Sequence, residues 1–340
     1  MKPVRLGVIG VGYIFRRAHM PALQRLRDAG LLSFAAFCDV DADMLAESAA
    51  DCGVARTFSD HRAMLDSVEL DAVAIFIPPT RHTDAELLTA ERGVHLLIEK
   101  PVTLRMAQAR LFSEAIARAG VVSQVGFMSR YYPAAERMRA MLAERTPRHA
   151  LVQRLYSGAP IRLWTSKMDL CGGSFVENSI HMVDLLRYLL GDIEAVSAFY
   201  VERKPSEMGG MMDLPHAYLV NYRFSSGVAA QFAVSRVLTN VKASRVDVTL
   251  VADDSLLEWS SQRIVENGAT VWQAEEAAES PFYLQDAAFI RAAAAGDSSA
   301  VRSPYGEALN SLAAVLAANA SAARGGELVD VLKFQREEED

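Results

Sequence analysis

Five short apolar runs, spaced by helical patterns over the first 125 residues, constrain this chain more than any other feature. They fall at residues 4–9, 33–38, 72–77, 95–98 and 121–125, with helix-like stretches at 21–29, 41–50, 60–65, 83–91 and 106–119 between them. Glycines 30, 53, 93 and 120 stand where these helices should stop. The runs 72–77 and 95–98 lack polar alternation, the mark of a strand buried on both faces of a parallel sheet. Strands alternating with helices predict an α/β fold, a doubly wound parallel sheet, in this half. Such sheets bind ligands beyond the carboxyl ends of their strands. Asp39, Pro78 to His82 and Glu99 to Pro101 all fall at such ends.

The first of these units is the most specific. An apolar strand runs into Gly10-Val11-Gly12-Tyr13-Ile14-Phe15, then a helix, then a second strand ending in Asp39. That order suits a dinucleotide. Gly10 allows a sharp turn. Gly12, without a Cβ, lets backbone N–H groups at the helix start approach a pyrophosphate, where the helix dipole favours negative charge. Asp39 is placed to accept hydrogen bonds from the adenosine ribose hydroxyls. Phe15 stands where the motif's third glycine would be, and is expected to pack under the helix.

Composition excludes several alternatives. A net charge of −7 leaves no basic stripe to neutralise phosphates, so nucleic acid is not expected as a partner. No run approaches the ~18 apolar residues that a membrane helix needs, and residues 1–3 lead straight into a strand without a signal peptide. The three cysteines (Cys38, Cys52, Cys171) have no metal-ligand spacing and read as reduced thiols of a cytoplasmic protein.

Past residues 121–127 the pattern changes. Strand-like stretches at 150–156, 195–202, 217–224, 227–235, 245–251 and 256–259 surround one strong helix at 174–190, with helices again at 283–295 and 303–323. This predicts a dinucleotide-binding domain over 1–123 and a C-terminal α+β domain over 124–340, built on a large, mostly antiparallel open sheet. The acidic end 337–340 reads as a solvated tail, and the loop 208–212 as a surface connection.

Two constellations carry candidate chemistry. Glu99-Lys100-Pro101 follows a buried strand directly, a costly place for charge unless it faces a cleft. Lys100 can donate to a substrate oxygen there, and Pro101 holds it extended. After Gly172-Gly173, residues Glu177, His181 and Asp184 stand at i, i+4 and i+7, on one face of the helix. A carboxylate one turn from His181 fits a general base; a core histidine and a metal site are the other readings of the same triplet. Trp164 and Lys167, just before the glycine pair, and Arg130 and Tyr131, after the last parallel strand, are candidates to line a substrate cleft.

Gly10-x-Gly12, His19-x-Pro21-Ala22-Leu23, Pro78 with His82, Glu99-Lys100-Pro101 and Gly172-Gly173-x₃-Glu177-x₃-His181-x₂-Asp184, in this order, resemble the Gfo/Idh/MocA oxidoreductase family. The resemblance implies a Rossmann domain and a C-terminal α/β domain whose open sheet forms a homodimer or homotetramer interface. It also implies hydride transfer between NAD(P) and a sugar, cyclitol or related hydroxyl compound. Carried over, Lys100 resembles the catalytic lysine, His181 the general acid/base and Glu177 a residue usually Asp; Asp184 matches an acid that binds substrate or supports the helix. Glu99, Pro78 and His82 fall near the cofactor, and the backbone of Tyr13 and Ile14 near the pyrophosphate. Asp39 favours NAD over NADP, because its carboxylate repels a 2′-phosphate; Arg16 and Arg17 read as exposed helix residues. No metal is expected. A dinucleotide-binding sensor and a redox-cycling glycosidase or lyase remain open on the same fold.

Overall fold

The computed structural model describes residues 2–155, 162–204, 212–238, 244–275 and 278–337. The expected loop 208–212 and the acidic tail therefore lie almost wholly outside the described residues. Two compact units emerge: Met1–Met128 with Glu279–Ala308, and Ser129–Ala278 with Leu309–Asp340.

The first unit holds six parallel strands: β1 (Val4–Ile9), β2 (Leu32–Cys38), β3 (Thr57–Phe58), β4 (Ala72–Ile75), β5 (His95–Ile98) and β6 (Ser123–Val125). Their order is β3-β2-β1-β4-β5-β6, so the winding reverses between β1 and β4. That reversal opens a crevice at the strands' carboxyl ends. Leu6, Val8, Ala72, Ala74 and Leu97 fill the core with essentially no exposure, which is why these runs show no polar alternation. Helix punctuation follows the sequence signals. Asp41 caps Ala42–Cys52 by accepting from the Met44 N–H at 3.0 Å, Asp60 caps His61–Ser67, and Gly120 closes Met106–Ala119 in the left-handed region. β3 has only two residues, too few for a periodic signature. β4 ends at Ile75, earlier than the apolar run, because Pro78-Pro79 lead into a tight turn at Pro79–Arg81. The distant helix Pro281–Ala295 also belongs here, with Phe289 and Ile290 in the same core.

The helix Met20–Asp28 is entered through a π turn, Phe15–His19, in which the Met20 N–H reaches back five residues to the Phe15 carbonyl. Pro21 has no N–H to offer to this first stretch.

The second unit is built on nine strands: β7 (Pro147–Leu155), β8 (Ile193–Val201), β9 (Ala217–Phe224), β10 (Ala229–Ser235), β11 (Arg245–Ala252), β12 (Ser255–Trp259), β13 (Arg263–Glu266), β14 (Ala269–Gln273) and β15 (Val329–Asp330). The order is β14-β13-β12-β11-β7-β10-β9-β8-β15; β7 and β10 pair in parallel and the other pairs are antiparallel. Strand β9 alternates strictly, burying Tyr218, Val220, Tyr222 and Phe224. Phe175 stacks on Tyr218 and Tyr222, and the Tyr222 hydroxyl donates to the Ala314 carbonyl at 2.9 Å, so helices cover that face. Phe199, Leu219, Val246 and Leu256 are exposed apolar residues of the same sheet. The predicted helix at 174–190 is two pieces, a π turn at Phe175–Ser179 and an α-helix at Ile180–Leu190. No helix among the described residues is long and apolar enough to cross a membrane.

Candidate functional site

The glycine loop is shaped from both sides. Gly10 sits at φ +88°, its N–H donates to the Cys38 carbonyl at 2.8 Å, and a Cβ there would lie 2.6 Å from the Phe76 carbonyl oxygen. Only glycine fits that turn. A Cβ on Gly12 would meet nothing within 4 Å, so the next step of the loop is open. The Val11 N–H donates to Asp39 Oδ2 at 2.7 Å and the Asp41 N–H to Oδ1 at 3.0 Å, which fixes the Asp39 carboxylate beside the loop. Each carboxylate oxygen keeps a further lone pair for a ribose hydroxyl. Tyr13 is exposed, whereas Phe15 is fully buried against Phe37 and Phe76, with ring centroids 5.4 and 5.8 Å away. An open backbone cradle, a helix start and an anchored acid together fit a dinucleotide.

At the end of β4, Pro78 precedes the tight turn and His82 turns inward. Its Nε2 donates to the Ile77 carbonyl at 3.2 Å and its Nδ1 pairs with the buried Glu86 carboxylate. The carbonyl of His82 accepts from Gln108 Nε2 at 2.6 Å. This histidine fixes the loop's path from within.

At the end of β5, the Lys100–Pro101 peptide is cis and Lys100 is half-buried. Glu99 is 5% exposed; its Oε2 accepts the Lys100 N–H at 3.1 Å and its Oε1 meets His19 Nε2 at 3.1 Å. The other ring nitrogen of His19 lies 3.0 Å from Asp286, and the ring stacks on Phe76 at 4.2 Å. Burial alone would push His19 down, but the carboxylates, Asp286 foremost, overcome it and hold the imidazole up at about 10. Burial likewise pushes the Asp286 carboxyl up, against the pull of His19. Sequence reading missed Asp286 altogether. It lies 267 residues from His19, and no local pattern announces it.

In the second unit, the Gly172-Gly173 pair turns the chain into the π turn; a Cβ on Gly173, at φ +90°, would press on Met168 Sδ at 3.0 Å. The Ser174 N–H then donates to the Tyr218 hydroxyl at 3.0 Å. Glu177 is buried in the π turn and His181 is half-buried in the first turn of the helix. Asp184, one turn further on, is fully buried. Arg130 grips it with two hydrogen bonds, Nε at 2.8 Å and Nη2 at 2.6 Å, and Ser311 Oγ donates to it at 2.7 Å. Arg187 donates to the Ser311 hydroxyl at 2.7 Å and pairs with Asp192, whose carboxyl stays ionised below its ordinary range. Arg130 and Asp184, both candidates for substrate contact, are thus brought together and bonded to each other. The Arg162 guanidinium lies over the ring of Trp164, 5.5 Å from its centroid. Lys167 Nζ is 3.7 Å from Asp213, and both line an open groove of about 700 Å³ with Leu163 and Met168.

Residues 4–127 match the model of an oxidoreductase family with an NAD-binding Rossmann fold, and residues 145–251 match the C-terminal domain of the same family. Among curated proteins, the chain is 28% identical over 246 residues to a myo-inositol 2-dehydrogenase of Thermotoga maritima, covering 72% of each chain. It is 32% identical over 194 residues to a scyllo-inositol 2-dehydrogenase (NAD(+)) of Bacillus subtilis, 55% of each. An oxidoreductase structure from Thermotoga maritima shares the fold, with a TM-score of 0.85 at 21% identity, over 98% of this chain and 99% of that one. Fold, cradle and matches define an NAD-binding oxidoreductase. The chain belongs to the Gfo/Idh/MocA family.

Proposed function

We propose that this protein is an NAD-dependent dehydrogenase of a cyclitol, sugar or related polyhydroxylated small molecule. One observation carries the reading: Lys100 stands at the carboxyl end of β5, two strands from the β1 glycine loop, with its backbone N–H held by Glu99. Gly10, Gly12, the backbone of Tyr13 and Ile14, and Asp39 bind the dinucleotide, and Pro78, His82 and Glu99 shape its nicotinamide end. Bound NAD supplies the hydride acceptor at a CH–OH carbon. Lys100 holds and polarises the reacting oxygen, His181 moves the hydroxyl proton, and Glu177 orients the imidazole. Trp164 and Lys167 meet the substrate. Arg130 and Asp184 support the His181 helix through their mutual pair. Asp39 selects NAD over NADP by repelling a 2′-phosphate. On this reading residues 1–123 carry the cofactor, with 279–308 packed into their core, and the rest of 124–340 carries substrate and assembly contacts. The exposed apolar residues of the second sheet suit a homodimer or homotetramer. Three buried, free cysteines suit the reducing cytoplasm.

The test is a panel of inositols, sugars and polyols offered with NAD⁺, with NADH formation followed by absorbance. Turnover of one of them that disappears in Lys100→Met supports the reading. Wild-type protein that binds NADH and turns over none of the panel favours a sensor. Tightly held NAD⁺ with turnover needing no added cofactor favours a redox-cycling hydrolase or lyase.

A further inference from the structure

Three distant segments of the first unit meet at one buried imidazole. His19 ends the π turn behind the glycine loop, Glu99 precedes Lys100, and Asp286 lies on the helix Pro281–Ala295. His19 and Asp286 are fully buried, and Glu99 is nearly so. Nε2 of His19 lies 3.1 Å from Glu99 Oε1, and Nδ1 lies 3.0 Å from Asp286 Oδ2. Both ring nitrogens face carboxyl oxygens, and a ring protonated on both donates to each carboxylate, whereas a neutral ring would set a lone pair against an anion wherever the facing carboxyl is ionised. The ring is also held mechanically, stacked on Phe76 and met edge-on by Phe282 at 5.3 Å. Phe76 is the same residue whose carbonyl closes over Gly10, so the glycine loop and the imidazole share a wall.

The far side of Glu99 is equally defined. A Cβ on Gly126 would fall 2.4 Å from Glu99 Oε1, so glycine leaves the space this carboxylate occupies. With Oε1 on His19, Oε2 is turned to accept the Lys100 N–H at 3.1 Å.

We propose that His19 is a positioning residue: an imidazolium anchored by Asp286 that fixes the Glu99 carboxylate, and through it the backbone of Lys100. The proposal rests on the reading of Lys100 as the residue that holds the reacting oxygen. A cation used only to fill the core would need no link to the Lys100 amide, and a buried charged group is retained at considerable cost. Here the carboxylate it holds is bonded to the backbone of the next residue, so a shift of the imidazole is transmitted to the base of the lysine side chain. Asp286 supplies the second anion that keeps the ring charged, and Gln285 Nε2 donates to that anion at 3.3 Å.

The test begins on the wild-type protein. NMR of histidine-labelled protein at about pH 8, where an ordinary imidazole is neutral, should show His19 protonated on both nitrogens; a neutral ring overturns the proposal. His19→Asn and Asp286→Asn are then compared with wild type by competitive acetylation of Lys100, read by peptide mass spectrometry, with NADH binding as the control for folding. Lys100 reactivity should change several-fold. With the substrate that the panel identifies, kcat should fall on the order of 10²-fold, as misplacement of a reacting group by about 1 Å costs, while KM and the NADH Kd stay within a few-fold. Folded variants with unchanged Lys100 reactivity and kcat refute the link. If neither variant binds NADH, Gly126→Ala displaces the Glu99 carboxylate from the other side, and unchanged Lys100 reactivity in it refutes the link equally. Full turnover in Lys100→Met would instead remove the catalytic reading of Lys100, and leave the ring-charge and reactivity results to judge the positional one.

Discussion

A buried charged network in each unit can be set against the other, and the two differ in what they hold. In the first, His19 sits between Glu99 and Asp286, and the network ends on the Lys100 backbone. In the second, Asp184 sits between Arg130 and Ser311, with Arg187 behind the hydroxyl, and the network ends on the scaffold. Both lie next to a π turn that opens a helix, a local irregularity often found near functional sites. The first cation titrates; a guanidinium does not. In the proposed function, the contrast separates a network that aims a reactive group from one that braces the helix carrying another.

The largest expected effect tests that separation. Lys100→Met should lower kcat by about 10²–10⁴-fold, the range for a positioned proton-transfer or polarising group, while cofactor affinity changes only a few-fold. Steady-state kinetics beside NADH titration measures both. Near-normal turnover would leave the first network aiming nothing.

Next comes the brace. Asp184→Ala leaves a buried guanidinium without its carboxylate and should destabilise the fold by about 3–5 kcal/mol in denaturant unfolding. The double variant Arg130→Met with Asp184→Leu should recover most of that loss, because a buried pair replaced by apolar volume is often near neutral. A stable Asp184→Ala protein with a strongly raised KM would move Asp184 from the brace to the substrate.

The titrating cation supplies a third, smaller effect. His19 is held at about 10 in the folded chain, above its ordinary 6.5, so the folded state keeps a proton that the unfolded chain releases in between. The stabilisation is whole below about 6.5 and fades as pH rises toward 10. The slope is at most about 1.4 kcal/mol per pH unit for one proton. Unfolding free energies across that window should fall more steeply for wild type than for His19→Asn. Equal slopes would mean that the first network carries no extra proton, and the contrast with the second would dissolve.

These networks also mark the limit of what the sequence discloses. Gly10, Asp39, the Asp41 cap and the Gly120 stop are local signals, and each appears where its chemistry demands. Glu99 and Lys100 were visible because charge after a buried strand is conspicuous. The partners were not. Asp286 reaches His19 across 267 positions and Ser311 reaches Asp184 across 127. Nothing in periodicity or capping connects residues at such distances; only the completed packing does. Strands β13, β14 and β15 escaped for a related reason, being short segments that pair at the two edges of a sheet whose register is set elsewhere.

The smallest effect provides the control. Arg16 pairs with Glu47 at 2.8 Å on the surface of the first unit, near the glycine loop, with side chains 38% and 63% exposed. Water screens such a pair, and holding two long side chains together costs entropy, so Glu47→Gln should change stability by less than about 1 kcal/mol. It should also leave the preference for NAD over NADP unaltered, because Asp39, not Arg16, faces the ribose in the proposed binding mode. Unfolding titrations and KM values for both dinucleotides check the two halves of this expectation. A shift toward NADP on releasing Arg16 would show that a freed surface guanidinium can serve a 2′-phosphate despite Asp39. Cofactor choice would then depend on an exposed pair as well as on the anchored acid, and burial alone would no longer divide the charges that act from those that do not.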